Sequence, residues 1–387
     1  MKQDHHLGEH GERPRGLSRR ALLGSGGAAA LGLALAGAAS PRGSATASEP
    51  GRTRVDAAGA RQAGVARPRI AQPHLALAVY DLSGDPASVL ADLGALILDL
   101  VEGRDPALVG LEPGDLTVTV GVGPRLVAAA HPGAPGAEPL PSFPREDIDE
   151  QHRGGDVVVQ VCASDPLLLP LVLVRVAEKT TALQERWRQR GTRGPDERVR
   201  RGHSAPRNLL GFVDGIAVPT TKEEFAASVW IPDGPAAGGT ILVVRRMEVD
   251  VAAFRSLSVG EQEAAIGRRR ASGAPLSGGR IGDDVDLQAK SADGRYRIPA
   301  DAHARRAHPR PAGVPLMLRR SYSMEEPLGL LFISMQAELS TFTRTLERMS
   351  EADALLAFAR TTASGSFLVL PGFDRDRPLG SSLFGGR

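Results

Sequence analysis

The sequence has 387 residues, of which 42% are hydrophobic and 24% are charged, the usage expected of a globular protein with a packed core. Its formal net charge is only +2, so composition gives no electrostatic reason to expect nucleic-acid binding. Cys162 is the single cysteine, which excludes an intramolecular disulfide and a thiolate metal cluster.

The first part of the chain carries an export pattern. Arg19 and Arg20 precede a weakly apolar, uncharged stretch of Gly, Ala and Leu, which is typical of a twin-arginine signal. Small-x-small cleavage sites end at Ala38 and at Ala47, and we favour Ala47. A membrane anchor is the less favoured alternative, because the glycines make the stretch poorly hydrophobic. We therefore predict a signal peptide over residues 1–47 and an extracytoplasmic protein.

The next region is predicted to be a linker followed by a first folded block. Residues 48–67 are rich in Ser, Ala, Gly, Arg and Pro without periodicity, which predicts a flexible linker. Residues 68–206 form the first predicted domain. Its predicted elements are a strand at 74–82, a helix at 86–102, strands at 116–122 and 155–163 and a long helix at 166–190, and a further strand is predicted near 207–213.

Residues 207–387 form the second predicted domain, which repeats that rhythm. The predicted elements are a strand at 239–249, a short helix at 251–257, a helix starting with a capping box at 258–261, a strand at 328–335, a helix at 337–349 and a strand at 366–370. Two such blocks predict an α+β fold of two ferredoxin-like domains, with antiparallel sheets flanked by helices.

One carboxylate stands in an unusual setting. Asp214 lies between Gly211 and Gly215, directly after an apolar run. Because glycine accepts positive φ, we expect a tight turn that holds the carboxylate at the edge of apolar surface, where it can serve in proton transfer. On local sequence alone, an ordinary Asp-Gly turn at the surface is the commoner outcome.

A basic segment lies about ninety residues downstream. Residues 298–320 contain His303, His308 and several arginines, with little periodicity. Such a segment is often a solvated loop. Haem, however, requires a neutral imidazole on iron and cations for its two propionates, so the same composition also fits a haem site.

These segments resemble the dye-decolourising (DyP-type) haem peroxidases. The run Gly211–Gly215 resembles the GxxDG motif of that family, residues 301–310 its haem-ligand segment, and residues 316–320 its distal-arginine segment. Further matching segments occur in order over almost the whole mature chain. With the export pattern, the resemblance is closest to the secreted EfeB-like subfamily, and it implies the dimeric α+β barrel-like fold.

The resemblance implies roles for three residues of the site. His303 would bind the iron of haem b (iron protoporphyrin IX) through Nε2. Asp214 would move the peroxide proton from one oxygen to the other. Arg319 would stabilise the negative charge that develops as the O–O bond breaks.

The remaining expected contacts are to the porphyrin. Arg305 and Arg310 are candidates to pair with the propionates, while Phe332, with Leu331, would line the distal pocket. Two departures from the family pattern occur nearby. Residues 216–219 read Ile-Ala-Val-Pro where the EfeB-like proteins more often read Thr-Ala-Asn-Pro, and Ser321 stands where some members have asparagine.

Several assignments have rivals at this stage. His308 competes with His303 as the iron ligand, and Arg320 competes with Arg319 as the distal cation. The carboxylate partner of the ligand histidine could be Glu351 or Asp353, and the sequence does not decide between them.

The combined interpretation is an exported haem b peroxidase that reduces hydrogen peroxide to water while oxidising a small organic or metal donor. The alternatives are a component that releases iron from haem together with iron-uptake partner proteins, and a non-catalytic haem-binding protein. We expect no nucleic-acid partner and no stable membrane span after signal cleavage. Whether the protein forms a homo-oligomer is left open.

Overall fold

The computed structural model describes residues 53–385, and the predicted signal peptide lies outside them. No helix in this part of the chain is both long enough and apolar enough to cross a membrane.

The first half of the described chain contains six strands and three α-helices. They are β1 His74–Leu82, α1 Pro86–Val101, β2 Thr117–Val122, α2 Pro124–Ala130, β3 Val157–Ala163, α3 Leu168–Lys179, β4 Leu183–Thr192, β5 Asp196–Arg200 and β6 His203–Pro206. Four strands pair antiparallel in the order β2-β3-β1-β4, the order of a ferredoxin-like sheet, while β5 and β6 form a separate hairpin.

The second half repeats the arrangement with longer insertions. Its elements are α4 Lys222–Ser228, β7 Thr240–Val249, α5 Val251–Ser256, α6 Val259–Ile266, α7 His303–Arg306, α8 Pro309–Ala312, β8 Leu318–Arg319, β9 Tyr322–Glu325, β10 Leu328–Gln336, α9 Leu339–Ala352, β11 Ala359–Val369 and α10 Ser381–Phe384. Here the antiparallel order is β11-β7-β10-β9, which is again ferredoxin-like.

The two sets of strands join into one closed ring. At one seam β11 pairs with β2, and at the other Thr192 of β4 pairs with Ser323 of β9. The predicted α+β fold with antiparallel sheets flanked by helices is therefore confirmed. The boundary between residues 206 and 207 stays a prediction.

The side chains of the ring divide between two main cores with the two-residue period of a strand. On β1, Leu75 and Leu77 belong to a core to which strands of both halves contribute, and Ala76 and Ala78 belong to a core that packs under α1 and α3. Residues of β7, β10 and β11 also belong to the core that contains Leu75 and Leu77. This core therefore occupies the interior of the ring.

The predicted helix over 166–190 is wrong in its second half. The helix α3 ends at Lys179, and the chain then forms β4 along β1. In β4, Leu183, Trp187 and Gln189 are buried while their neighbours are more exposed, which is the burial pattern of a strand. Pairing with β1 outweighs the helical propensity of the charged residues in this stretch.

The predicted flexible linker is also wrong for the residues that the structure describes. Val65 is fully buried. The buried Gln62 amide donates Nε2–H to the carbonyls of Val120 (2.8 Å) and Leu370 (2.9 Å), and its Oε1 accepts from the Val120 N–H (2.8 Å). Residues 53–67 are therefore part of the fold, because an amide side chain satisfies backbone groups at the seam between β2 and the end of β11.

Candidate active site

The run Arg207–Val213, where we predicted a strand, instead forms a loop after β6. Asn208 Oδ1 accepts the N–H of Leu210 (3.0 Å) and of Phe212 (3.3 Å). These backbone N–H groups are therefore bonded to a side chain and not to a neighbouring strand. Arg207 ties the loop to its surroundings through Glu197 (2.5 Å) and the Gly211 carbonyl (2.8 Å). The prediction failed because local side-chain bonding replaced strand pairing.

The loop presents Asp214 as the sequence predicted. Gly211 has φ 85° and Gly215 has φ 93°, both in the left-handed region that favours glycine. The Asp214 N–H donates to the Pro206 carbonyl (2.9 Å), which fixes the backbone beneath the carboxylate. The Asp214 side chain lines a large internal cavity, so the surface-turn alternative is wrong.

His303 opens the short helix α7 and is oriented by a buried carboxylate. Its Nδ1 lies 2.8 Å from Oδ2 of Asp353, whose side chain is fully buried, while the His303 side chain is 34% exposed. Asp353 sits just after α9, and its Oδ1 accepts the Leu355 N–H. The competing carboxylate, Glu351, pairs with Arg306 instead. This geometry leaves His303 Nε2 as the nitrogen available to a ligand.

The charges around His303 act in opposite directions. Burial lowers the pKa of His303, but the charge and hydrogen bond of Asp353 more than offset burial, and the pKa ends above its ordinary value. The Arg319 cation lowers the pKa of His303 and the Asp214 carboxylate raises it. The part of the imidazole that is exposed faces the cavity rather than the outer surface.

His303, Asp214, Arg319 and Phe332 all line the same cavity, so the structure brings these four predicted residues together. Including its open mouth, the empty volume is about 2050 Å³. Much of the remaining wall is apolar, from both the sheet and the surrounding helices. Examples are Ile216, Met247, Val285, Leu330, Leu346 and Met349.

Arg319, rather than Arg320, faces this cavity. Arg319 Nη1 donates to the Ala217 carbonyl (3.1 Å), which holds the guanidinium beside the Asp214 loop. Arg320 leaves the backbone on the other side and donates Nη2–H to the Pro68 carbonyl (2.7 Å). Neighbouring residues of an extended segment leave the backbone in opposite directions, and of this pair it is Arg319 that lines the cavity.

The two arginines that we expected to meet propionates do not line the cavity. Arg305 donates to the carbonyls of Leu287 (2.8 Å) and Ile298 (2.9 Å), and its guanidinium lies 4.6 Å from the centre of the Tyr296 ring. Arg310 is 78% exposed and pairs with Asp284 (2.7 Å). Both expectations are corrected, because each guanidinium already has acceptors away from the cavity.

His308, the rival ligand, lines the cavity but has both ring nitrogens engaged. Nε2 lies 3.1 Å from Asp284 Oδ1, and Nδ1 accepts the Arg310 N–H at 3.2 Å. Asp284 could not be recognised as a wall residue from the sequence, because the stretch around it has no periodicity and its contact to His308 spans 24 residues.

The cavity fits haem by the chemistry of its wall. The buried Asp353 holds one imidazole nitrogen of His303 and leaves the other free, as an iron ligand requires. The apolar side chains suit the faces of a porphyrin. Arg145, Arg245 and Arg268 add cations to the wall that the sequence did not single out, and Arg145 also borders the outer surface.

Comparisons with known proteins identify relatives that match most of the described chain. The sequence profiles "Dyp-type peroxidase, N-terminal" and "Dyp-type peroxidase, C-terminal" match residues 62–193 and 205–374. A dye-decolorizing peroxidase of Thermobifida fusca is 33% identical over 96% of this chain and 98% of its own. A deferrochelatase of Yersinia pestis is 31% identical over 84% and 83%. The crystal structure of a DyP-type peroxidase from Cellulomonas bogoriensis superposes with a TM-score of 0.78 and 34% identity, over 87% of this chain and 99% of its own.

Proposed function

Since the chain belongs to the Dyp-type peroxidase family and is a haem peroxidase, we propose that His303 binds the haem iron and that Asp214 and Arg319 act on hydrogen peroxide. The observation that carries this proposal is that one cavity is lined by a carboxylate-oriented histidine and by an acid–base pair.

His303 would hold the cofactor through Nε2. The Asp353 carboxylate accepts the Nδ1 proton, which fixes the tautomer and makes Nε2 a stronger donor to metal. Bound haem supplies the two-electron chemistry that cleaves the O–O bond. The apolar wall would exclude water from the porphyrin faces, and Arg145, an exposed cation that lines the cavity, would be a candidate to pair with a propionate.

Asp214 would move the proton. It takes a proton from one oxygen of hydrogen peroxide and returns it to the other, which then leaves as water. Arg319, held by the Ala217 carbonyl, stabilises the negative charge on the departing oxygen. Two electrons from a small organic or metal donor and two protons complete the reduction of the peroxide to two waters.

The first test is optical. Mature protein supplied with haem should show a ferric Soret band and should oxidise a dye only when peroxide is added. A protein that binds haem but shows no peroxide-dependent turnover would support the alternative of a non-catalytic haem-binding protein. A colourless protein after haem supplementation would contradict the whole proposal.

A second candidate function for the same cavity is removal of iron from haem, since relatives at 31% identity are named deferrochelatases. The product would be metal-free porphyrin, which fluoresces strongly whereas haem does not. Fluorescence that rises on incubation with haem and reductant, and fails to rise in His303→Ala, would support this function beside the peroxidase.

We also propose export by the twin-arginine route, supported by the paired Arg19 and Arg20 before a weakly apolar stretch. Replacing both with lysine should leave the protein in the cytoplasmic fraction with its signal uncleaved. Export of that variant at the level of the natural sequence would contradict the route.

A further inference from the structure

A second, smaller chamber adjoins the active-site cavity. Including its open mouth, its empty volume is about 720 Å³, against about 2050 Å³ for the larger cavity, with which it shares Asp214, Gly215, Arg319 and Ser321. The charged and titratable side chains on the rest of its wall are Arg69, Arg193, Asp196, His203 and Arg320. Of the described residues that line it, four are arginines and two are aspartates, so the chamber carries an excess of positive charge.

Arg193 has an unused donor inside the protein. Its side chain is only 10% exposed, and its one ion pair, from Nη2 to Asp196 Oδ1, is long at 3.3 Å. The Nε–H of Arg193 is buried and has no acceptor within the described part of the chain. A buried donor without an acceptor is costly, and native proteins normally supply one.

Arg320 is a second buried cation on the same wall. The residue is 7% exposed, and among residues 53–385 its guanidinium bonds to the carbonyls of Pro68 and Arg69 rather than to a carboxylate. Burial lowers the pKa of Arg320 to about 10, so the side chain is still a cation at neutral pH.

His203 adds little to this charge. Its Nε2 lies 2.8 Å from the Gly215 carbonyl, a contact in which a ring N–H donates. Burial lowers the pKa of His203 from its ordinary value, which keeps the imidazole neutral at neutral pH. The positive charge of the chamber therefore comes from its arginines, which stay protonated at neutral pH.

We propose that this chamber binds a small monovalent anion, of the size of a halide, nitrate or formate, which accepts the Arg193 Nε–H and offsets part of the positive charge of Arg193 and Arg320. The chamber has room for an ion of this size. The chamber shares Asp214 and Arg319 with the haem cavity, but the proposal does not depend on their catalytic roles, because the partners it assigns to the anion are Arg193 and Arg320.

The direct test uses bromide on the haem-loaded wild-type protein. Crystals soaked in sodium bromide should show an anomalous peak within hydrogen-bonding distance of Arg193 Nε. Density there that has no anomalous signal, and so belongs to water, would overturn the proposal whatever the variants do.

A solution measurement with matched variants follows. Chloride line broadening in nuclear magnetic resonance should be weaker in Arg193→Gln, with affinity reduced about tenfold, the worth of a charge-assisted hydrogen bond. Arg190→Gln removes an equal charge from an exposed position on β4 and should bind chloride like the wild type. If Arg193→Gln loses its native melting transition, Arg193→Lys replaces it. Unchanged broadening in a folded Arg193 variant would contradict the site.

Discussion

The Nδ1 atom of His303 lies 2.8 Å from Oδ2 of Asp353, a fully buried carboxylate that is 50 residues further along the chain. This pair joins the start of α7 to the end of α9, so the orientation of the imidazole depends on how two helices pack. Asp353 has no other cation within salt-bridge distance among the described residues, which leaves its charge to the histidine.

The first expectation concerns the iron ligand. His303→Ala should lose haem on gel filtration, with a fall in Soret absorbance and in haem per protein, because the metal then has no imidazole. His308→Ala is the matched control, since His308 lines the same cavity but both of its ring nitrogens are engaged. Haem loss in His308→Ala with retention in His303→Ala would reverse the assignment.

The second concerns the carboxylate behind the ligand. Asp353→Asn keeps the shape of the side chain but removes its charge, so we expect haem affinity to fall roughly 10–100-fold. The Fe(III)/Fe(II) midpoint potential should also become more positive, because a less electron-rich imidazole favours the ferrous form. Glu351→Gln, which alters the neighbouring carboxylate that pairs with Arg306, should change neither quantity. An unchanged potential in Asp353→Asn would show that the pair has only a structural role.

The third concerns peroxide. Asp214→Asn and Arg319→Leu should retain the Soret band, and the rate constant of the first spectral change after stopped-flow mixing with peroxide should fall about 10²–10⁴-fold. Asp301→Asn and Arg310→Leu alter exposed residues of the same two types and serve as controls. Wild-type rates in both the Asp214 and Arg319 variants would support the haem-carrier alternative.

The fourth concerns stability and pH. Burial raises the pKa of Asp156, but the Arg125 ion pair (2.6 Å) and the Leu82 N–H (2.8 Å) outweigh burial, so the pKa is lowered. A carboxyl group whose pKa is lower in the folded state stabilises the folded state at pH values above the pKa of the unfolded chain, which is near 3.9. That stabilisation is lost as the pH falls through the lowered pKa of the folded state.

Asp156→Asn should therefore lower the free energy of unfolding by about 2 kcal/mol at pH 7, measured by urea denaturation. The difference from wild type should narrow below about pH 4, where the wild-type carboxyl also becomes neutral. Asp147→Asn alters an exposed pair with Arg360 and should cost less than about 1 kcal/mol. A difference for Asp156→Asn that stays constant down to pH 3 would contradict the electrostatic explanation.

The parts of the site that could be predicted are those carried by short motifs. His303, Asp214 and Arg319 each sit in a local pattern with a chemical requirement, and the structure brings them to one cavity. The choice between Arg319 and Arg320 needed the direction of each side chain, and the choice between Asp353 and Glu351 needed the packing of α7 on α9. Neither is encoded in residue type.

The errors share one physical cause, which is that contacts distant in sequence decide the local structure. Residues 183–192 form a strand because β1 supplies a partner, although their composition also suits a helix. Arg305 was expected at a propionate, but the carbonyls of Leu287 and Ile298 take its donors. The sequence shows how many donors an arginine has, but not which acceptors the fold places around them.

The closed ring has a consequence for how the molecule comes apart. Since β11 and β9 lie against strands of the first half, and Gln62 bonds to both sides of one seam, neither half can separate without exposing unpaired strand edges and the shared interior core. We expect a single cooperative melting transition in calorimetry, with equal van't Hoff and calorimetric enthalpies. We expect either half to aggregate when it is produced alone. The haem pocket and the half of the fold that is remote from it would therefore fold and unfold together.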